Sequence, residues 1–98
     1  METQIKDIEN IEKELVGNLV FPNSEVLKST EQIKFRKRML DTGMKLGNNH
    51  RRKVKIIFED VFGLKMVETT IWASTKDNIS LKGGVVIPVQ RIHSMEIY

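Results

Sequence analysis

The sequence predicts an α+β fold in which one or two N-terminal helices precede a small, strongly bent, five-stranded antiparallel β-barrel. Apolar residues recur at three- and four-residue spacings up to about residue 47, and at every second position after residue 51. These are the periods of amphipathic helices and of half-buried strands. The chain has 98 residues, which is about one domain. Because five short strands in so few residues are too few for a sandwich, we predict one domain, residues 1–98, with a single small barrel.

The first predicted element is an acidic amphipathic helix with a linker, within residues 1–22. Gly17 allows a left-handed cap at its end, and Pro22 favours an extended linker after it. We therefore expect residues 1–18 to form a helix that is separable from the rest of the chain. The apolar residues that share its one face are Ile5, Ile8, Ile11, Leu15 and Val16.

The second predicted element is a basic helix over residues 24–47. Ser29 is followed three residues later by Gln32, which is the pattern of a capping box. The helix therefore begins near Ser29, or earlier at Ser24. Gly47 opens a Gly-Asn-Asn sequence that is expected to end it.

The remaining residues, 51–98, are predicted to form the barrel. Val54, Ile56 and Phe58 alternate with charged residues and predict the first strand. Residues 66–74 are rich in β-branched and aromatic residues and predict the second strand. Shorter apolar stretches predict three further strands, the last of them after a one-turn 3₁₀ segment.

Turn residues separate the predicted strands of the barrel. Gly83 and Gly84 are expected to form a tight turn between the third and fourth strands, with at least one of them at positive φ. Pro88 has no backbone N–H to donate, so we expect it at the end of a strand or on a sheet edge.

Part of the chain also carries a family resemblance. The stretches are residues 44–48 (MKLGN), 53–56 (KVKI), 67–73 (VETTIWA) and 81–88 (LKGGVVIP). Together they resemble a family of short, uncharacterised bacterial proteins over residues 39–97, which implies membership but no activity. Residues 87–92 (IPVQRI) look like the strand, 3₁₀ turn and strand that close SH3-like and Sm-like barrels. The resemblance therefore implies a barrel of that kind.

The chemistry that the sequence offers argues against an enzyme. His50 and His93 are the two imidazoles, and no motif links either to a nucleophile or an acid. Glu59 and Asp60 point in opposite directions if they lie on a strand, so they are unsuited to acid and base roles in one site. We therefore expect no catalytic residues, no metal and no cofactor. The chain has no cysteine and no apolar run of membrane-spanning length, so a cytoplasmic protein without membrane contact is expected.

The distribution of charge is the feature that points to a function. Residues 1–33 carry three lysines against seven acids, and residues 56–98 carry four basic residues against five acids. Residues 34–55 carry nine basic residues against one acid, a net charge of +8. Such a block favours phosphate backbones, and an aromatic residue adds a stacking platform for unpaired bases. The predicted RNA- or single-stranded-DNA-binding residues are Lys34, Arg38, Lys45, Arg51, Arg52, Lys53, Lys55 and Trp72.

Other interpretations of these residues remain open at this stage. The basic residues can be a solvated surface or a dock for the acidic first helix, and Trp72 can belong to the core. The alternative function is a protein-protein interaction or oligomerisation module, with a homodimer as one form. Its support is the apolar face of the first helix and the exposed strand edges of a small barrel.

Overall fold

The computed structural model describes residues 8–97, which form two helices and seven strands. No helix in this part of the chain is long and apolar enough to span a membrane. In chain order the elements are β1 (Glu9–Asn10), α1 (Lys13–Val16), α2 (Thr30–His50), β2 (Val54–Asp60), β3 (Gly63–Thr69), β4 (Ile71–Ser74), β5 (Asn78–Leu81), β6 (Val86–Pro88), a 3₁₀ turn (Val89–Arg91) and β7 (Ile92–Ile97).

The strands form two sheets instead of the predicted five-stranded barrel. A four-stranded mixed sheet has the order β1-β3-β2-β7, and a three-stranded antiparallel sheet has the order β4-β5-β6. The prediction of a single SH3-like or Sm-like barrel is therefore wrong. The error lies in residues 66–74, for which the sequence predicts one strand. The chain changes partners at Thr70, because β3 pairs with β2 whereas β4 pairs with β5.

The N-terminal segment also differs from the prediction. A continuous helix over residues 1–18 is wrong, because β1 pairs in parallel with β3. The N–H of Ile11 extends this pairing by donating to the carbonyl of Met66 at 2.9 Å. The sheet edge thus supplies the hydrogen bonds that a helix would have made internally. α1 is a single turn whose Val16 is fully buried in the core. Residues 1–7 of the predicted helix lie outside the described residues.

α2 begins where the sequence predicts and ends later. The Ser29 hydroxyl accepts a hydrogen bond from the Gln32 N–H at 3.1 Å, and the Gln32 side chain accepts one from the Ser29 N–H. The capping box is therefore confirmed. The helix passes through Gly47 and ends at His50, so the predicted stop at Gly47 is wrong. Gly47 instead lies where α2 crosses β4, and a Cβ there would collide with the carbonyl oxygen of Ile71.

The predicted turns lie between strands as expected. Gly83 and Gly84 connect β5 to β6 and both have positive φ, at 93° and 87°. Pro88 is the last residue of β6, which is an edge strand of its sheet.

One hydrophobic core joins the two sheets and both helices. The alternation predicted for β2 is confirmed, since Val54, Ile56 and Phe58 are fully buried. α2 packs against β4 of one sheet and β7 of the other, so it holds the two sheets together. The other buried apolar residues are Val16, Leu40, Val67, Ile71, Ile79, Leu81, Ile87, Ile92 and Met95.

Two buried arginines attach the segment before α2 to the rest of the molecule. The guanidinium of Arg36 donates to both carboxylate oxygens of Glu25, at 2.6 and 2.7 Å, and to the carbonyl of Ile92 at 3.0 Å. Arg91 donates to the carbonyl of Ser24 at 2.8 Å. These two cations belong to the interior of the protein and not to its basic surface.

Candidate functional site

The basic residues predicted from the sequence do not form one continuous site. Lys34, Arg38 and Lys45 are exposed along the side of α2 that faces away from the core. The guanidinium of Arg38 lies 5.8 Å from the ring centre of Phe35, a cation-π distance on that same surface. We call Lys34, Arg38 and Lys45 the α2 basic face.

Lys55 is separated from the other predicted residues by its place in the four-stranded sheet. It is half-buried on β2, where the strand register sets it opposite Glu68 on β3 and opposite Glu96 on β7. Residues paired in this way share one face of a sheet. Lys55 therefore lies among carboxylates and is not part of the candidate site. Arg52 is exposed just beyond the end of α2.

The remaining predicted residues meet in a cleft next to the C-terminal end of α2. Arg51, Lys53 and Trp72 line it, together with Lys82 from the end of the β5 region. Its volume is about 430 Å³, which is in the range of small-molecule sites. We call it the Trp72 cleft; Gly47, Asn48 and Thr70 complete its lining.

Arg51 reaches the cleft through an unusual backbone conformation. It caps α2 in the left-handed region, with φ 54° and ψ 33°, and its N–H donates to the carbonyl of Gly47 at 3.0 Å. Glycine is the usual residue at such a cap, and a residue with a Cβ costs about 1 kcal/mol more there. This sharp turn directs the chain from α2 into β2, which places Lys53 at the start of that strand.

Strand alternation and one cross-strand hydrogen bond place the other two residues. On β4, Ile71 is fully buried, so its neighbour Trp72 points outward and is 51% exposed. The N–H of Lys82 donates to the carbonyl of Thr70 at 2.9 Å, which holds Lys82 beside β4. The Gly83-Gly84 turn follows immediately and lets the chain reverse there.

The electrostatics of the Trp72 cleft favour an anion. None of the residues that line it in the described part of the chain is acidic. Within residues 8–97, the side chains of Arg51, Lys53 and Lys82 make no hydrogen bond or ion pair. Three neighbouring cations that form no ion pair repel one another, so a bound anion would lower their energy. The indole of Trp72 adds an apolar surface on which a planar group can stack.

The titratable residues elsewhere are held by structural contacts. The imidazole Nε2 of His93 lies 2.8 Å from a carboxylate oxygen of Glu59, and no hydrogen bond joins His93 to Ser94 among the described residues. Asp60 points to the opposite, buried side of β2 and accepts a hydrogen bond from Lys65 at 3.0 Å. In the described part of the chain no three His, Asp or Glu side chains are grouped as metal ligands.

Lys82 is the cleft residue that the sequence analysis missed. It lies more than 25 positions from the basic block, and only the pairing of β4 with β5 brings it close to Trp72. The available signal was its position directly before Gly83, since a lysine beside a glycine turn has an accessible side chain.

Comparisons with models of known protein families, with curated proteins and with solved structures gave no match. The function of the chain is therefore argued from its geometry.

Proposed function

We propose that this chain is a non-enzymatic domain that binds single-stranded RNA or DNA with little sequence preference. The observation that carries the proposal is the convergence of three unpaired cations, Arg51, Lys53 and Lys82, around the half-exposed ring of Trp72. Phosphates bind the cations by charge, and a base stacks on the indole. Neither interaction depends on the identity of the base, so the binding is sequence-tolerant.

A single strand suits the Trp72 cleft better than a duplex does. The bases of a duplex are stacked on one another inside the helix, and a base has to be unpaired before it can lie against the indole of Trp72. The cleft presents its aromatic ring among cations, where an unpaired base can stack while its phosphate binds a cation.

The α2 basic face extends the binding surface beyond the cleft. Lys45 and the cleft residue Asn48 are three positions apart and are therefore neighbours on the surface of α2. Arg38 and Lys34 follow along the same outer side of the helix. From Lys34 to Arg51 the chain rises by about 25 Å, which is the length of about seven stacked nucleotides.

Two substitutions test the roles of the cleft residues. Trp72→Ala is expected to weaken binding at least about fivefold, since a stacked base contributes about 1–3 kcal/mol. Arg51→Gly is expected to weaken binding about tenfold by removing a charge-assisted hydrogen bond. Because glycine adopts positive φ without a Cβ penalty, Arg51→Gly should keep or slightly raise the thermal stability of the parent. The measurement is fluorescence anisotropy with labelled RNA and DNA strands of about 12 nucleotides, within the usual site sizes.

Lys28→Ala is the matched control for the Arg51 substitution. Lys28 is exposed before the start of α2, and its loss changes the net charge by the same amount as the loss of Arg51. It should leave the affinity nearly unchanged. Equal effects of Arg51→Gly and Lys28→Ala would show that binding follows net charge and not the cleft. Absence of binding at about 20 mM salt, where charge screening is weak, would contradict the proposal. It would favour the protein-interaction alternative, which has the exposed Phe62 in its support.

A further inference from the structure

The Trp72 cleft has acidic residues on one flank and basic residues on the other. This asymmetry affects how a nucleic-acid strand lies in it. On one flank, Lys53, Thr70 and Lys82 also line an adjoining depression of about 220 Å³. That depression is bordered by three carboxylates, which belong to Glu12, Glu14 and Glu68. On the other flank lies Asn48, beyond which the α2 basic face begins.

The carboxylates of this acidic flank repel a nucleic-acid strand that continues past Lys53 and Lys82. Lys13 also lines the depression, but its ammonium group lies 2.6 Å from the carboxylate of Glu14 and is therefore already paired. A further phosphate placed there would meet carboxylates of like charge at short range. On the opposite flank, the next phosphates would meet the cations of the α2 basic face. The charges therefore allow a strand to leave the cleft in one direction only.

The number of cations in the cleft also exceeds what one internal phosphate needs. An internal phosphodiester carries one negative charge, whereas a phosphate monoester carries about 1.5 to 2 at neutral pH. Three unpaired cations, Arg51, Lys53 and Lys82, line a space of about 430 Å³. This space suits a single nucleotide better than a strand that passes through.

From these two observations we infer that the Trp72 cleft captures the phosphorylated end of a single strand. The terminal phosphate binds among Arg51, Lys53 and Lys82, and the terminal base stacks on Trp72. The rest of the strand leaves along the α2 basic face. This inference rests on the proposed function, since it specifies which part of a single strand the same site binds.

The test compares one oligonucleotide sequence in four forms with the full-length chain. These are a linear strand with a 5′-phosphate, one with a 3′-phosphate, one with hydroxyl groups at both ends, and a covalently closed circle. At least one phosphorylated form should bind about tenfold more tightly than the hydroxyl-ended strand and the circle, as expected for an added charge-assisted contact. The inference is overturned if neither phosphate tightens binding, or if the circle binds as tightly as the phosphorylated strands. In both cases the proposed function still stands, whereas absence of binding to all four forms contradicts both.

A pair of charge-matched variants tests the acidic flank itself. Glu12→Gln combined with Glu14→Gln removes two exposed carboxylates, and Glu12 makes no side-chain capping bond in α1, so the fold should be kept. The double variant should bind the circle more tightly relative to the phosphorylated linear strand. Asp77→Asn combined with Glu96→Gln changes the net charge equally at positions outside both depressions, and should leave that ratio unchanged. Equal ratios in the two double variants would overturn the role of the acidic flank.

Discussion

At the scale of single residues, burial decides what each cation of this chain does. Arg36 is only 5% exposed and is fixed by Glu25, so its charge stabilises the fold. Arg51 is exposed on a strained backbone, and its side chain makes no hydrogen bond or ion pair in the described part of the chain. Both belong to the same basic block, and the sequence offers no local sign that separates them. A buried cation is costly unless it is paired, whereas an exposed one is available to a ligand.

The ion pair of Glu25 with Arg36 predicts a pH-dependent stability. Hydrogen bonds from the Arg36 guanidinium hold the pKa of the Glu25 carboxyl below its ordinary value of 4.5. A carboxyl whose pKa is lowered by folding stabilises the protein above its ordinary pKa, and this contribution is lost as the pH falls through the lowered pKa. Glu25→Gln should therefore reduce the free energy of unfolding at pH 7 by about 1–3 kcal/mol. The difference from the parent should shrink below pH 4.5, as measured by urea unfolding across a pH series.

Glu12→Gln is the control for this pH dependence, because Glu12 is exposed and its side chain makes no capping hydrogen bond in α1. It should leave the free energy of unfolding close to that of the parent throughout. A loss of stability in Glu25→Gln that is the same at every pH would contradict a role of the Glu25 charge.

At the scale of elements, the sequence correctly predicted the features that depend on residues close together in the chain, such as the start of α2 and the strand β2. The capping box of Ser29 and Gln32 marks the start of α2, because both partners lie within one turn. The two-residue alternation marks β2, because each of its inward residues enters the core. The division between β3 and β4 had no such signal. Residues on both sides of Thr70 favour strands equally, and only their distant partners, β2 and β5, differ.

The same limit explains which parts of the candidate site could be predicted. Arg51 and Lys53 lie two positions apart in the sequence, so their grouping was visible in the basic block. The addition of Lys82 and the removal of Lys55 both depend on strand pairing, which sequence periodicity does not specify. β1 was missed because a two-residue strand has too few positions to show a period.

The contact between α2 and β4 predicts an ordered series of glycine substitutions. A Cβ at Gly47 would collide with the Ile71 backbone, which cannot move alone, so Gly47→Ala should cost about 3 kcal/mol or more. A Cβ at Gly43 would meet the flexible end of the Met95 side chain, so Gly43→Ala should cost less. Gly17 has open space around it and a helical φ of −62°, so Gly17→Ala should be neutral or slightly stabilising. Thermal unfolding measures all three, and equal losses at Gly47 and Gly17 would contradict the close approach of α2 to β4.

At the scale of the whole molecule, the fold converts a charge pattern along the chain into a charge pattern in space. The net charge is +3, yet residues 34–55 alone carry +8. Folding buries Arg36 from this block and adds Lys82 from outside it. Glu12 and Glu14 at the start of α1 lie beside the cleft, and the α2 basic face points into solvent. A polyanion is thus attracted to one side of the molecule, which orients it before any specific contact forms.

This distribution of charge predicts that the affinity falls steeply as the salt concentration rises. It also predicts that single substitutions can identify the cations responsible. Each phosphate that a cation neutralises on a single strand contributes about 0.7 to the slope of log affinity against log salt. The cleft and the α2 basic face offer six cations, so the slope should approach roughly −4 if each cation neutralises its own phosphate, and roughly −3 if the three cleft cations share one terminal phosphate. Lys53→Ala should make this slope shallower by up to about 0.7, because it removes one cation that contacts phosphate. Lys28→Ala removes the same charge at a residue that neither lines the Trp72 cleft nor belongs to the α2 basic face, and it should leave the slope unchanged while shifting affinity only slightly. Binding titrations at several salt concentrations measure the slopes, and an equal change in both variants would mean that phosphates are attracted by net charge and not held by the Trp72 cleft.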